Sequence, residues 1–188
     1  ILKESIKDIA ESSFNKNVIS GPGAFGGVFN HSDTDEDYLV SSTDGVGTKL
    51  RIANILNNHF TVGESIVNHC INDILPSGAT PLFFLDYIGA NGFDTKKVTE
   101  IVQGISYACK QANCVLLGGE TASMPDTYND EDYDLVGFIV GKVKKKNPKK
   151  PQSFSPNVNK VIDSLKSISP HIEIGLEECP EDKLYVKT

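Results

Sequence analysis

Tryptophan is absent from this 188-residue chain and methionine occurs once. No apolar run approaches the roughly 20 residues a membrane helix needs, so no membrane role is expected. Positive charge is scarce: the formal net charge is −7 and lysines cluster only between residues 142 and 150. Nucleic acid is therefore not an expected partner, because no broad basic face could neutralise a phosphate backbone. The four cysteines, Cys70, Cys109, Cys114 and Cys179, form no C-x-x-C pair and have no metal-type histidine spacing beside them. That argues against a zinc module and a disulfide framework and leaves buried or idle thiols. Residues 1–10 are charged and amphipathic rather than a signal peptide, which predicts a cytoplasmic protein. With no methionine before Ile1, the true beginning is expected to lie upstream.

What is present suffices for one sizeable core, or for one domain and a fragment of another, and the second arrangement is expected. Leu2, Ile6, Ile9 and Ala10 share one helical face, so a helix over residues 1–13 feeds the turn Gly21-Pro22-Gly23-Ala24-Phe25-Gly26-Gly27. Residues 38–42 read as a buried strand. Thr61 and Glu64 have the spacing of a capping box, and Val62, Ile66, Cys70 and Ile74 then recur at helical intervals as far as Pro76-Ser77-Gly78. A strand over 81–88 precedes a helix from Thr95 to about Ala112, with Asn113 as its end cap. A strand over 114–117, ended by Gly118-Gly119, is followed by a polar loop over 124–132 and a long strand over 133–143. Residues 144–156, rich in lysine and proline, predict a linker or loop. Beyond it, Val158, Val161, Ile162, Leu165 and Ile168 predict one amphipathic helix, and residues 183–187 a lone strand. So short a segment cannot bury enough surface to fold alone, so residues 157–188 read as a fragment of an incomplete second domain.

Three segments carry candidate chemistry. In Ser42-Thr43-Asp44-Gly45-Val46-Gly47-Thr48-Lys49 a strand runs into a turn holding an acid, two glycines, a hydroxyl and a lysine. Glycines let backbone N–H groups approach phosphate oxygens, lysine supplies a point charge, and aspartate is a hard ligand for Mg²⁺. The order is not that of a Walker A loop, and taken alone an Asp-Gly pair between apolar runs is more often a plain turn. On the capped helix, Asn72 and Asp73 point about 100° apart and cannot both face water if Ile71 and Ile74 are core. An acid beside a buried stripe needs a partner or a cation; otherwise the pair is an exposed helix edge. His69, nearby, is weighed as a catalytic group and set below a satisfied or exposed histidine. Gly118-Gly119-Glu120-Thr121 again ends a strand in glycines, an acid and a hydroxyl, and Asp86 interrupts the apolar run Leu82-Phe83-Phe84-Leu85. Taken together, glycine-flanked and strand-terminal acids have the composition of a polyphosphate–magnesium site. The glycine-rich stretch 21–27 could wrap a phosphate in the same way, or be only a turn.

Four motifs in order resemble the phosphoribosylformylglycinamidine cyclo-ligase (aminoimidazole ribonucleotide synthetase) family. They are Thr43-Asp44-Gly45-Val46-Gly47-Thr48-Lys49-Leu50, Asn72-Asp73-Ile74-Leu75, Pro81-Leu82-Phe83-Phe84-Leu85-Asp86-Tyr87, and Gly118-Gly119-Glu120-Thr121-Ala122 with Met124-Pro125. Tyr133-Asp134-Leu135-Val136-Gly137-Phe138 follows them, and the likeness covers roughly residues 18–143. The resemblance implies an α+β N-terminal domain over residues 1–143, a mixed β-sheet with helices packed on one face, that binds ATP and Mg²⁺. It also implies a homodimer in which that sheet pairs with a partner's, near the nucleotide sites. Its reaction would close the imidazole ring of formylglycinamidine ribonucleotide to give aminoimidazole ribonucleotide in purine synthesis. ATP would first phosphorylate the amide oxygen and turn it into a leaving group. On the matching positions, Asp44, Asp73 and Glu120 would hold the metal, and Lys49 and Asp73 would serve catalysis. Gly45, Gly47, Thr48, Asn72, Asp86, Gly118 and Gly119 would complete the nucleotide site.

The family's second domain, with its Ser-Gly-x-His-Ser-Asn-Gly motif, is not found after Val143, so the 188 residues are expected to be an incomplete enzyme. The alternatives carried forward are a relative sharing the ATP domain and a non-catalytic dimerisation fragment. The relatives weighed are formylglycinamidine ribonucleotide synthetase, selenophosphate synthetase, thiamine-monophosphate kinase and a hydrogenase maturation factor.

Overall fold

The computed structural model describes residues 2–146. The expected linker past residue 146, the helix built on Val158 to Ile168 and the strand at 183–187 lie outside the described residues. In chain order the elements are α1 (Leu2–Glu11), β1 (Val18–Ser20), β2 (Gly27–Phe29), β3 (Asp37–Gly45), α2 (Lys49–Leu56), α3 (Phe60–Ile74), a 3-10 turn (Leu75–Ser77), β4 (Thr80–Ala90), α4 (Thr95–Gln111), β5 (Val115–Ser123) and β6 (Tyr133–Lys144). This is the expected α+β architecture. The six strands form one mixed sheet in the order β1-β2-β3-β6-β4-β5, with β4 and β5 parallel and the other neighbours antiparallel.

Strand alternation sets the layers. Along β6, Leu135 and Ile139 are fully buried beneath the helices, whereas Phe138 points to the opposite face and keeps 39% of its surface exposed. α3 packs across β3, β4 and β6, and α4 lies beside it over β5. Ile66, Val67, Cys70 and Ile74 of α3 join Ile101 and Ile105 of α4 and Phe84 and Ile88 of β4 in the core. The two helices approach closely because each presents a glycine to the other. A Cβ on Gly63 would stand 2.9 Å from the Ile105 amide nitrogen, and one on Gly104 would press on the Phe60 carbonyl.

Several local expectations are corrected. Thr61 does not cap α3: the helix begins at Phe60 with His59 in the cap position, and no side chain closes the cap. α4 is capped instead by Asp94, whose carboxylate accepts from the Lys96 amide. Asn113 does follow that helix in a left-handed conformation, φ 50°, as an end cap requires. β5 continues through Gly118-Gly119 rather than stopping there, because β4 pairs with both, and at Gly119 the Asp86 side chain fills the space a Cβ would need. The short strands β1 and β2 and the helix α2 carried too little periodicity to be expected. Among the described residues, no helix is long and apolar enough to cross a membrane.

Candidate functional site

The chemistry collects where β3 ends and α2 begins, against one face of α3. Ser42 and Asp44 are two apart on β3 and point to the same side of the sheet, toward α3. Ser65, His69 and Asp73 are four apart on α3 and form a polar stripe along that helix. Gly47, with φ of 69°, makes the turn between β3 and α2 that a side chain would strain. Thr48 then precedes α2, and Lys49 is its first residue.

Hydrogen bonds tie these groups together. The Ser42 hydroxyl donates to Asp73 Oδ2 at 2.6 Å, and Asp44 Oδ1 accepts from the Gly45 amide at 2.8 Å. Lys49 Nζ lies 2.6 Å from Ser65 Oγ and 2.9 Å from His69 Nε2. The other nitrogen of that imidazole, Nδ1, is 3.4 Å from Asp44 Oδ2. Behind the polar stripe, burial pushes the Cys70 thiol up to about 12, and the Asp44 and Asp73 charges add to the effect. Cys70 is thus an inert core thiol that both carboxylates approach. Cys109 and Cys114 are likewise free and buried.

The structure brings Asp44, Asp73 and Lys49 together with Gly45, Gly47 and Thr48. It leaves the other expected residues elsewhere. Asn72 is on the exposed side of α3, so Asp73 alone turns inward. Strand register separates the rest: Asp44, Gly137, Asp86 and Gly119 form one transverse row, and Gly45, Val136, Tyr87 and Glu120 the next. Adjacent rows point to opposite faces, and three strand spacings separate β3 from β5, so Glu120 and Asp44 are about 14 Å apart on opposite sides of the sheet. Among the described residues, no three His, Cys, Asp or Glu side chains are grouped to hold one metal ion. Asp86 shares the helix-covered face with Asp44, but Phe84 and Ile66 pack over Gly137 between them. Burial raises the Asp86 carboxyl above its ordinary value. Gly118 and Gly119 lie with it on the β4–β5 pair.

Ser65 is the contributor that sequence reasoning misses, while Ser42 stands in the first motif with no role of its own and His69 is ranked below a satisfied histidine. Their signal was the interval of four between Ser65, His69 and Asp73, facing the interval of two between Ser42 and Asp44. An open groove of about 440 Å³ adjoins the cluster at Ser42 and is walled by Phe14, Phe25, Phe29 and the glycine-rich turn. That volume is in the range of sites for small organic ligands.

The mixed sheet and its helical layer, with a strand-to-helix turn flanked by carboxylates and a lysine, define an α+β domain. The chain belongs to the family described as AIR synthase related protein, N-terminal domain, whose model matches residues 25–143. It is 50% identical over 149 residues to a phosphoribosylformylglycinamidine cyclo-ligase of Alkaliphilus metalliredigens, covering 78% of this chain and 42% of that protein. It is 45% identical over 173 residues to the same enzyme of Bacillus cereus, covering 91% and 46%. The chain therefore spans less than half the length of these relatives. A solved structure of T. maritima PurL complexed with ATP shares the fold, with a TM-score of 0.52 at 16% identity over 79% of this chain and 24% of that one.

Proposed function

We propose that this chain is the ATP- and Mg²⁺-binding domain, residues 1–143, of an enzyme that closes formylglycinamidine ribonucleotide to aminoimidazole ribonucleotide. The observation that carries the reading is that Asp44 and Lys49 meet on His69 at the β3–α2 turn, with Asp73 one helical turn further along α3 on Ser42, in a chain about half identical to named cyclo-ligases. The donor set fits the ion: two carboxylates beside serine hydroxyls are hard oxygen ligands of the kind Mg²⁺ takes along with water and phosphate oxygens. When bound, Mg²⁺ would neutralise charge on the transferring phosphoryl group. Lys49, at the N-terminus of α2, and the glycine-bearing turn before it present positive charge to phosphate.

In this reading the amide oxygen of the substrate takes the γ-phosphoryl group and ADP leaves. The substrate's own amidine nitrogen then attacks that carbon, and phosphate departs with the oxygen. The chain's residues position and neutralise, and none need act as a base. Glu120 sits on the sheet face away from α3, so within one chain it does not share an ion with Asp44 and Asp73. The same reading includes a homodimer paired through the bare sheet face, which bears Phe138 and Tyr87. The substrates are soluble nucleotides, which sets the enzyme in the cytoplasm.

Among relatives sharing the domain, the high identity to cyclo-ligases favours ring closure over thiamine-monophosphate phosphorylation. Titration calorimetry of the chain with Mg-ATP should show binding that Asp73→Asn weakens at least tenfold. Full-length enzyme should release aminoimidazole ribonucleotide only with ATP and formylglycinamidine ribonucleotide. Turnover of thiamine monophosphate in its place would overturn the proposal.

A further inference from the structure

His69 occupies a position that neither the charge-binding motifs nor the reaction requires, yet it stands between the two charges the site depends on. A lysine ammonium has only hydrogens to offer, so the 2.9 Å contact between Lys49 Nζ and His69 Nε2 requires the lone pair to be on Nε2. The ring hydrogen is then on Nδ1, the nitrogen that faces Asp44 Oδ2 at 3.4 Å. Ser65, one turn earlier on the same face of α3, accepts from that ammonium at 2.6 Å. Asp44 keeps its second oxygen on the Gly45 amide, so its carboxylate plane is held at both ends. No ion pair joins Lys49 directly to Asp44 among those of the described residues.

We infer that His69 is a positioning residue: its imidazole, in the Nδ1–H form, separates the Lys49 ammonium from the Asp44 carboxylate and aims each at its own part of Mg-ATP. The inference rests on the nucleotide reading above. Lys49 and Asp44 have opposite charges on neighbouring turns of chain, and with an apolar side chain at 69 they collapse onto each other. Such a pair has neither charge free for the ligand. The imidazole prevents this because it accepts from one group and donates to the other, and because α3, packed across three strands, fixes where it stands. A glutamine at 69 can do the same, since its amide carries an acceptor and a donor about as far apart as the two ring nitrogens.

Long-range ¹H–¹⁵N spectra of the full chain, with the His69 signals assigned by their loss in His69→Gln, read the tautomer without any ligand. The Nδ1–H form is expected in the wild type and should give way in Lys49→Met; an Nε2–H form in the wild type overturns the inference. Mg-ATP calorimetry supplies the second arm. His69→Leu should weaken binding by about 10- to 100-fold, the range for loss of an outer partner of a metal ligand. His69→Gln should stay within about threefold of the wild type, with melting temperatures of both variants recorded to exclude unfolding. Equal loss in both variants, or none in either, overturns positioning. A wild type that binds no Mg-ATP overturns the nucleotide reading instead, while the tautomer still decides whether His69 bridges the two charges.

Discussion

Replacing Gly63 with alanine sets two effects of opposite sign against each other in the seam between α3 and α4. Alanine is the better helix former by about 1 kcal/mol, so on propensity alone Gly63→Ala stabilises. The new Cβ, however, meets the Ile101 carbonyl and stands 2.9 Å from the Ile105 nitrogen, both backbone atoms that cannot rotate away. Relief requires the helices to part by about an ångström, and a gap of that size forfeits roughly a quarter to a half of each dispersion contact it opens. Ile101 and Ile105, both fully buried in this seam, would each lose roughly 1–2 kcal/mol of packing. Packing loss therefore wins, leaving a net destabilisation of roughly 1–3 kcal/mol and a melting temperature lower by about 3–10 °C. α3 spans three strands while α4 rests on β5, so α4 is the helix that yields. Mg-ATP affinity should accordingly stay within about threefold of wild type, because the polar stripe of α3 does not move. Thermal unfolding of Gly63→Ala beside Gln103→Ala, a change on the exposed side of α4, measures the difference. An unchanged or raised melting temperature in Gly63→Ala would refute the reasoning.

Two further expectations concern ionisable groups that the core partly encloses. His59 is 1% exposed, its Nδ1 is 2.9 Å from the Tyr133 hydroxyl and its Nε2 has no partner, and burial, with Lys97 adding to it, holds its pKa below the ordinary 6.5. The unfolded chain thus binds the proton more readily, so stability is intact above about pH 6.5 and falls as pH drops below it. Urea midpoints between about pH 7 and 5 should decline less steeply in His59→Leu than in wild type; equal slopes would refute this. Burial raises Asp86 instead, so the folded state holds its proton to higher pH than the ordinary 3.8, and ionisation costs stability once pH has risen through the folded value. Asp86→Asn should therefore raise the melting temperature at neutral pH, and a fall would show that the carboxylate has a stabilising partner.

The long elements were legible because one periodicity ruled each of them. Val62, Ile66, Cys70 and Ile74 announced α3, and the same residues fill its buried face. β1 and β2 were not legible: at three residues each they hold their place only by pairing along the edge of β3. The end of β5 was misplaced for a related reason. Two adjacent glycines weaken a strand taken alone, yet opposite Asp86 a glycine is what the neighbouring strand leaves room for.

The candidate site shows a deeper limit. Sequence order made Asp44, Asp73 and Glu120 look like one set, since Asp44 and Glu120 adjoin glycines at strand ends, Asp73 lies beside a buried helical stripe, and each falls in a motif of the resembled family. Whether two strand residues meet depends instead on register and parity, and these arise only when β6 inserts between β3 and β4. That insertion puts Asp44 opposite Gly137 and Tyr87 opposite Val136, which sends Asp44 and Glu120 to different faces. Asp73 reaches Asp44's face because it lies on a helix, where an interval of four keeps Ser65, His69 and Asp73 aligned whatever the sheet does. Within one chain, then, Asp44, Asp73 and Lys49 lie on the helical side, and Glu120 lies on the bare side of the sheet.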